Sequence, residues 1–344
     1  EHWWKRQRGL AVKESTRAGL ELLCAAGVII VSVRWLALEF HGESWIWATS
    51  AAAVATLLYG IFTRAWATAV VGQFFTILTA KAFLLAISFA QPHAIVALIP
   101  VITVAAIGVF VDMVVGRRYA AALPERFNAK VIARVYRLSA TTGLALWALH
   151  FVPGEWLAPF FAGLGALLVY AGNYTGNRER AMTGLVFHGL ALAWLWFRFA
   201  GPVSWPGLFA VLLVPASLRV VRHLAGEESL ISEELRRIFT AAATVTAWLW
   251  VTRWTVASHG SQGLTMAWSA LALLTFAAGL GLQERVYRLG GFAILALAIG
   301  RVFLIDVWRL ETIYRILSFL VLGAVLLLLG FVYNRYADKI RRWL

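Results

Sequence analysis

Long apolar runs alternate along this chain with short connections that are rich in arginine and lysine. Twelve such runs fall at roughly 16–38, 43–62, 66–89, 94–115, 133–152, 156–172, 181–199, 205–224, 236–257, 264–282, 286–306 and 312–334. A hydrocarbon core about 30 Å thick needs about 20 mostly apolar residues of α-helix. The runs are rich in Ala, Leu and Val and lack the strict alternation of a membrane β-strand, and a helix satisfies all its backbone hydrogen bonds within the segment. The pattern therefore predicts an all-α, polytopic membrane protein with about 12 transmembrane helices. The longest connection lies near residues 116–132, too short for a catalytic domain outside the bilayer.

Composition agrees. Of 344 residues, 61% are hydrophobic and only 14% charged, with a mean hydropathy of +0.76. Soluble domains are about 45–50% apolar, so this chain has too little polar surface for a water-soluble fold. A net charge of +14 would suit nucleic acid if it formed one polar face. Here the basic residues lie between apolar runs, which points to membrane topology instead. The single cysteine, Cys24, excludes an intramolecular disulfide and a cysteine-based metal site. No HExxH, Walker, GxSxG or GxGxxG sequence is present, so no cofactor is implied. The chain opens EHWWKRQRGL, without an initiator Met or a signal-peptide pattern. That opening suggests part of a longer polypeptide, the remainder of which is then an expected partner.

Placing the N-terminus in the cytoplasm puts 24 of the 31 basic residues on one side, from Lys5 and Arg6 through Arg117, Arg178, Arg236 and Arg285 to Arg342. Both ends of the segment are therefore expected to be cytoplasmic. Tryptophan runs the other way: Trp35, Trp147, Trp194, Trp196, Trp205, Trp250, Trp254 and Trp268 all fall toward the outer half. These rings form either an interfacial aromatic belt or flat apolar surfaces for a sugar or lipid head group.

Charged landmarks recur. Arg34, His150 and Arg253 close runs 1, 5 and 9 at separations of 116 and 103 residues, and Lys81, Arg198 and Arg301 recur at 117 and 103. Pro100 and Pro215 lie 115 apart. The recurrence predicts three parallel four-helix repeats, over residues 1–115, 116–228 and 229–344.

Seven basic residues are left over by topology: Arg34, Lys81, Arg198, Arg253, Arg301, Arg309 and Arg315. A Lys or Arg near a helix centre costs roughly 2.5–3.5 kcal/mol and is tolerated where it faces a bundle interior, a water cavity or a partner. Lys81, Arg198, Arg301, Arg34, Arg253 and His150 are accordingly candidate anion-binding residues. Asp306, Arg309, Glu311 and Arg315 form a second candidate set, an outer ion-pair cluster at i,i+3 and i,i+4 spacing. The same charges could instead be structural pairs or side chains that snorkel to lipid phosphates. His188, midway along run 7, is expected to bond a neighbouring helix. Asp112 is expected to pair with Arg117 or Arg118.

The segment RVFLIDVWRLETIYRILSFLVLGAVLLLLGFVYNR, Arg301 to Arg335, resembles the close of a large bacterial family of predicted membrane proteins classed as a domain of unknown function. Arg301, Asp306, Tyr314, Arg315 and Ser318 match that family's recognisable motif. The resemblance implies a multi-pass protein of the bacterial inner membrane, with this chain as its C-terminal part, and brings no activity or site.

The sequence thus points to a membrane protein that binds, transports or presents an anionic, lipid-linked envelope component, with membrane lipids or a glycolipid as partners and no nucleic acid. A structural scaffold is the first alternative. An intramembrane transferase using a lipid-linked donor is the second, with Asp306, Glu311 or His150 as its candidate acids and bases.

Overall fold

The computed structural model describes residues 14–63, 66–90, 92–116, 128–198, 203, 205–225, 229–306 and 312–335. Among them are twelve α-helices and no strand. They are α1 (Glu14–Glu39), α2 (Glu43–Phe62), α3 (Trp66–Leu85), α4 (Ala94–Phe110), α5 (Ala129–Phe151) and α6 (Leu157–Tyr174). The rest are α7 (Arg178–Phe197), α8 (Trp205–Ala225), α9 (Glu233–His259), α10 (Leu264–Gly281), α11 (Arg285–Arg301) and α12 (Thr312–Arg335). Helices α3, α4 and α11 each run on into a five-residue π turn. Starts are set locally where a polar side chain takes up a free backbone N–H: Asn128 accepts from Lys130 and Val131, Asn177 from Arg180, and Ser232 from Leu235.

Each helix overlies one apolar run of the sequence. Eight stretches of the described residues are long and apolar enough to cross a membrane, and one of these, Glu233–Gly281, runs through both α9 and α10. Helices α5 and α7 are diluted by Arg134 and Arg137 and by Arg178, Glu179 and Arg180. In α12 the apolar portion is the shorter Phe319–Phe331.

The surface is the reverse of a soluble protein's. Leu23, Phe89 and Leu327 expose 70%, 82% and 77% of their area, whereas Thr49, Thr79, His188 and Ser269 are fully buried. Apolar surface on this scale belongs against hydrocarbon, with polar groups held between helices. This is a multi-helix membrane protein.

The chain forms two compact units, Glu1–Val152 and Pro153–Leu344. In the first, α2 packs on α3 and α4, α1 on α3, and α4 on α5. In the second, α6 packs on α7 and α8, α8 on α9, α9 on α10 and α11, and α10 on α11 and α12.

One contact recurs three times. A Cβ on Gly60 of α2 would lie 2.5 Å from the backbone nitrogen of Ala69 in α3, and a Cβ on Gly279 of α10 would lie 2.7 Å from that of Arg288 in α11. Gly172 of α6 meets Ala181 of α7 in the same way. Further along each hairpin, Gly72, Gly184 and Gly291 press on Thr56, Val169 and Ala272. Both glycine sets are separated by 112 and 107 residues. Without a strong hydrophobic force between helices in lipid, small residues allow the close backbone approach that dispersion needs.

Candidate functional site

At one end of the second unit, four segments enclose a cavity of about 520 Å³. They are the turn before α6 (Pro153, Gly154 and Glu155), the last turn of α7 (Trp194 to Arg198), the start of α8 (Val203 to Gly207) and α9 from Thr246 to Arg253. The volume lies within the roughly 300–1,000 Å³ of small-molecule sites.

Hydrogen bonds set its walls. The Trp194 indole donates to Gly154 O at 2.9 Å, which ties the turn to α7. The Arg198 guanidinium lies against Gly154, in space that a Cβ there would fill. Arg253 donates to Arg198 O at 3.2 Å, so a cation meets one of the carbonyls that a helix end leaves without an intrahelical partner. Trp196 donates to the Thr246 hydroxyl at 3.0 Å, and that hydroxyl in turn bonds Ala242 O at 2.7 Å.

The remaining wall is aromatic. Trp205 packs on Trp250 and Trp254 at centroid distances of 5.5 and 6.1 Å, and Trp250 and Trp254 are nearly parallel, 8° apart. Trp205 stays 66% exposed and Trp196 50%, so both offer an open ring face. The cavity therefore offers guanidinium charge beside flat apolar surface. It contains no group of three or more metal-ligating side chains, nor do the other described residues.

Of the six candidate anion-binding residues, the structure brings Arg198 and Arg253 together. Arg301, the last residue of α11, donates instead to Ser261 O at 2.8 Å and lies 5.9 Å from the Trp268 ring centroid. In the first unit Arg34, Lys81 and His150 are exposed, with the His150 ring 4.7 Å from Phe151. The glycine register also differs from the charge register: it aligns Lys81 with Ala193 and Gly300 rather than with Arg198 and Arg301. In the second candidate set, Arg309 and Glu311 lie outside the described residues, as do the side chains of Asp306 and Arg315. Asp112 pairs with Arg137 of α5 at 3.1 Å, while Arg117 and Arg118 lie outside the described residues. His188 is wholly buried, with Nε2 3.0 Å from Ser217 Oγ of α8.

A cluster at the other end of α8 and α9 was not legible as such. Glu284, in the α10–α11 turn, is bound by Arg219 at 2.9 Å and by Arg236. Glu233 is bound by Arg236 and Arg222 and, at 3.2 Å, by Arg237. Topology accounts for the arginines one by one, which hides that two carboxylates knit them into a network. The signal available was the acidic pair itself, since carboxylates are scarce in this chain.

No curated protein and no solved structure matches the chain. The C-terminal part, residues 208–336 from α8 through α12, matches the model of the family described as predicted membrane protein (DUF2339), in agreement with the resemblance of the Arg301–Arg335 segment.

Proposed function

We propose that this membrane protein binds the phosphate of an anionic lipid, as a step in transporting or presenting a cell-envelope component, in the cavity between α6, α7, α8 and α9. One observation carries the reading: Arg253 donates to the Arg198 carbonyl, and both arginines line a cavity shared with Trp194, Trp196, Trp205 and Trp250. Guanidinium suits phosphate because its planar donors match the oxygens and it is weakly hydrated. Among the described residues the Arg198 guanidinium meets no carboxylate, so its charge is available to a ligand.

The accompanying topology is twelve crossings of a bacterial inner membrane, with both ends of the segment cytoplasmic. The cavity then opens at the outer side and the Glu233–Glu284 network closes the inner side. Three parallel four-helix units are supported by the thrice-repeated glycine contact and by the pairing of α2, α6 and α10 with the next helix and the next but one.

Purification in native-lipid particles followed by mass spectrometry of the retained lipids tests this. A defined anionic lipid enriched on the parent and lost from a folded Arg198→Gln/Arg253→Gln variant supports the reading. The same unselective lipid on both overturns it. A scaffold reading rests on a separate observation, that Arg253 and Arg301 each bond a backbone carbonyl of another segment. It requires the variant to lose stability while its lipid content stays the same.

A further inference from the structure

The tryptophan wall adds information about what accompanies the phosphate. Two guanidinium groups alone would suit any phospholipid. Three occupants fit an indole surface next to them: an acyl chain, a quaternary ammonium group or a sugar ring. Elsewhere the chain exposes aliphatic side chains such as Leu23, Ile30 and Leu327 as well as single rings such as Trp35, Trp47 and Phe89, so contact with an acyl chain does not require several indoles gathered at one cavity. A quaternary ammonium ion is drawn to indole faces, but Arg253 follows Trp250 by three residues and precedes Trp254 in α9, which places a fixed cation within the same wall. A pyranose fits both features. Its C–H face lies flat on an apolar ring, and its hydroxyls at the ring edge need polar acceptors. Trp205 offers an open face, and the exposed Glu155 carboxylate lines the same cavity.

We infer that the pocket takes a glycosylated lipid phosphate, with its phosphate against Arg198 and Arg253, its sugar on the open face of Trp205, and Glu155 accepting from sugar hydroxyls. This deepens the phosphate-binding reading of the same cavity and rests on it.

Native mass spectrometry of the detergent-purified chain with four probes tests it: a long-chain isoprenyl phosphate, the same phosphate carrying one hexose, a neutral hexosyl diacylglycerol, and phosphatidylcholine. The hexosyl phosphate is expected to bind about tenfold more tightly than either the bare phosphate or the neutral glycolipid. Trp205→Leu, a substitution at an exposed position, reduces it to the level of the bare phosphate. Trp205→Phe keeps part of the preference. Arg198→Gln weakens both phosphates. Equal binding of the two phosphates by the parent overturns the sugar assignment while leaving phosphate binding in place. Charged probes that ignore Arg198→Gln overturn the phosphate reading itself. Tightest binding of phosphatidylcholine assigns the wall to a quaternary ammonium group and overturns the inference.

Discussion

The Glu284 carboxylate lies 2.9 Å from the Arg219 guanidinium, joining the α10–α11 turn to the last turns of α8. The same oxygen takes a hydrogen bond from Arg236, so one buried acid holds cations from two helices. Removing one partner of a buried pair is costly because the other charge stays buried. Glu284→Gln is therefore expected to destabilise the second unit by on the order of 3 kcal/mol, read as a lowered thermal midpoint in lipid particles. Arg236 keeps its pairing with Glu233 in that variant, so the loss comes from its second contact and from Arg219. An unchanged midpoint in the single variant would show the network to be dispensable.

The α6–α7 hairpin tests the close-approach glycines against an internal control. Gly172 presses on the backbone of Ala181, whereas a Cβ added to Gly163 of α6 or Gly189 of α7 would meet nothing within 4 Å. Backbone cannot yield as a flexible side-chain tip can. Gly172→Ala is expected to cost about 1–3 kcal/mol through overpacking. Gly163→Ala and Gly189→Ala should be neutral or slightly stabilising, since Ala has the better helix propensity. Equal effects at all three positions would remove the packing argument.

The turn after α10 carries strain that its counterpart avoids. Gln283 has φ +56°, the left-handed region, where Gly176 sits after α6 with φ +65°. Both turns close in the same way: Asn177 N bonds Gly172 O at 2.8 Å, and Glu284 N bonds Gly279 O at 3.0 Å. A residue with a Cβ is disfavoured by roughly 1–2 kcal/mol in that conformation. Gln283→Gly is expected to stabilise the chain by about 1 kcal/mol, and Gly176→Gln to destabilise it by a similar amount. Thermal midpoints of the two variants should move in opposite directions.

The helices were legible because their cause is local: a run such as Ala94–Phe110 is apolar all round, and a helix satisfies its backbone in lipid within the segment itself. Arg198 and Arg253 were legible as anomalies, two charges where topology required none. Their meeting was not, because it depends on how α7 and α9 pack, and the charges recur at other separations than the closely packed glycines do. The glycines at 60, 172 and 279 keep their own spacing, and the reason is steric: a close crossing admits almost no other residue, whereas a charge at a helix end can move a turn along and still reach water. Glu284 was missed for the opposite reason, since a lone acid in a short loop has no periodicity to reveal its partners.

Gly154→Ala separates ligand binding from architecture at the cavity itself. A Cβ at Gly154 would displace the tip of Arg198 and come within 3.8 Å of Trp194. The first is the mobile end of a long side chain and the second an ordinary contact. Stability should therefore change by no more than about 0.5 kcal/mol, the usual range for a surface substitution. The guanidinium, however, leaves the position from which it faces the cavity, and a phosphate held there loses part of its charge-assisted hydrogen bonding. Retention of the anionic lipid should fall several-fold, roughly 3–10-fold for a loss near 1 kcal/mol, in a protein whose thermal midpoint matches the parent. If Arg198 serves only to fasten helix ends, the lipid content of Gly154→Ala equals the parent's, because the Arg253 bond to the Arg198 carbonyl does not involve the displaced guanidinium.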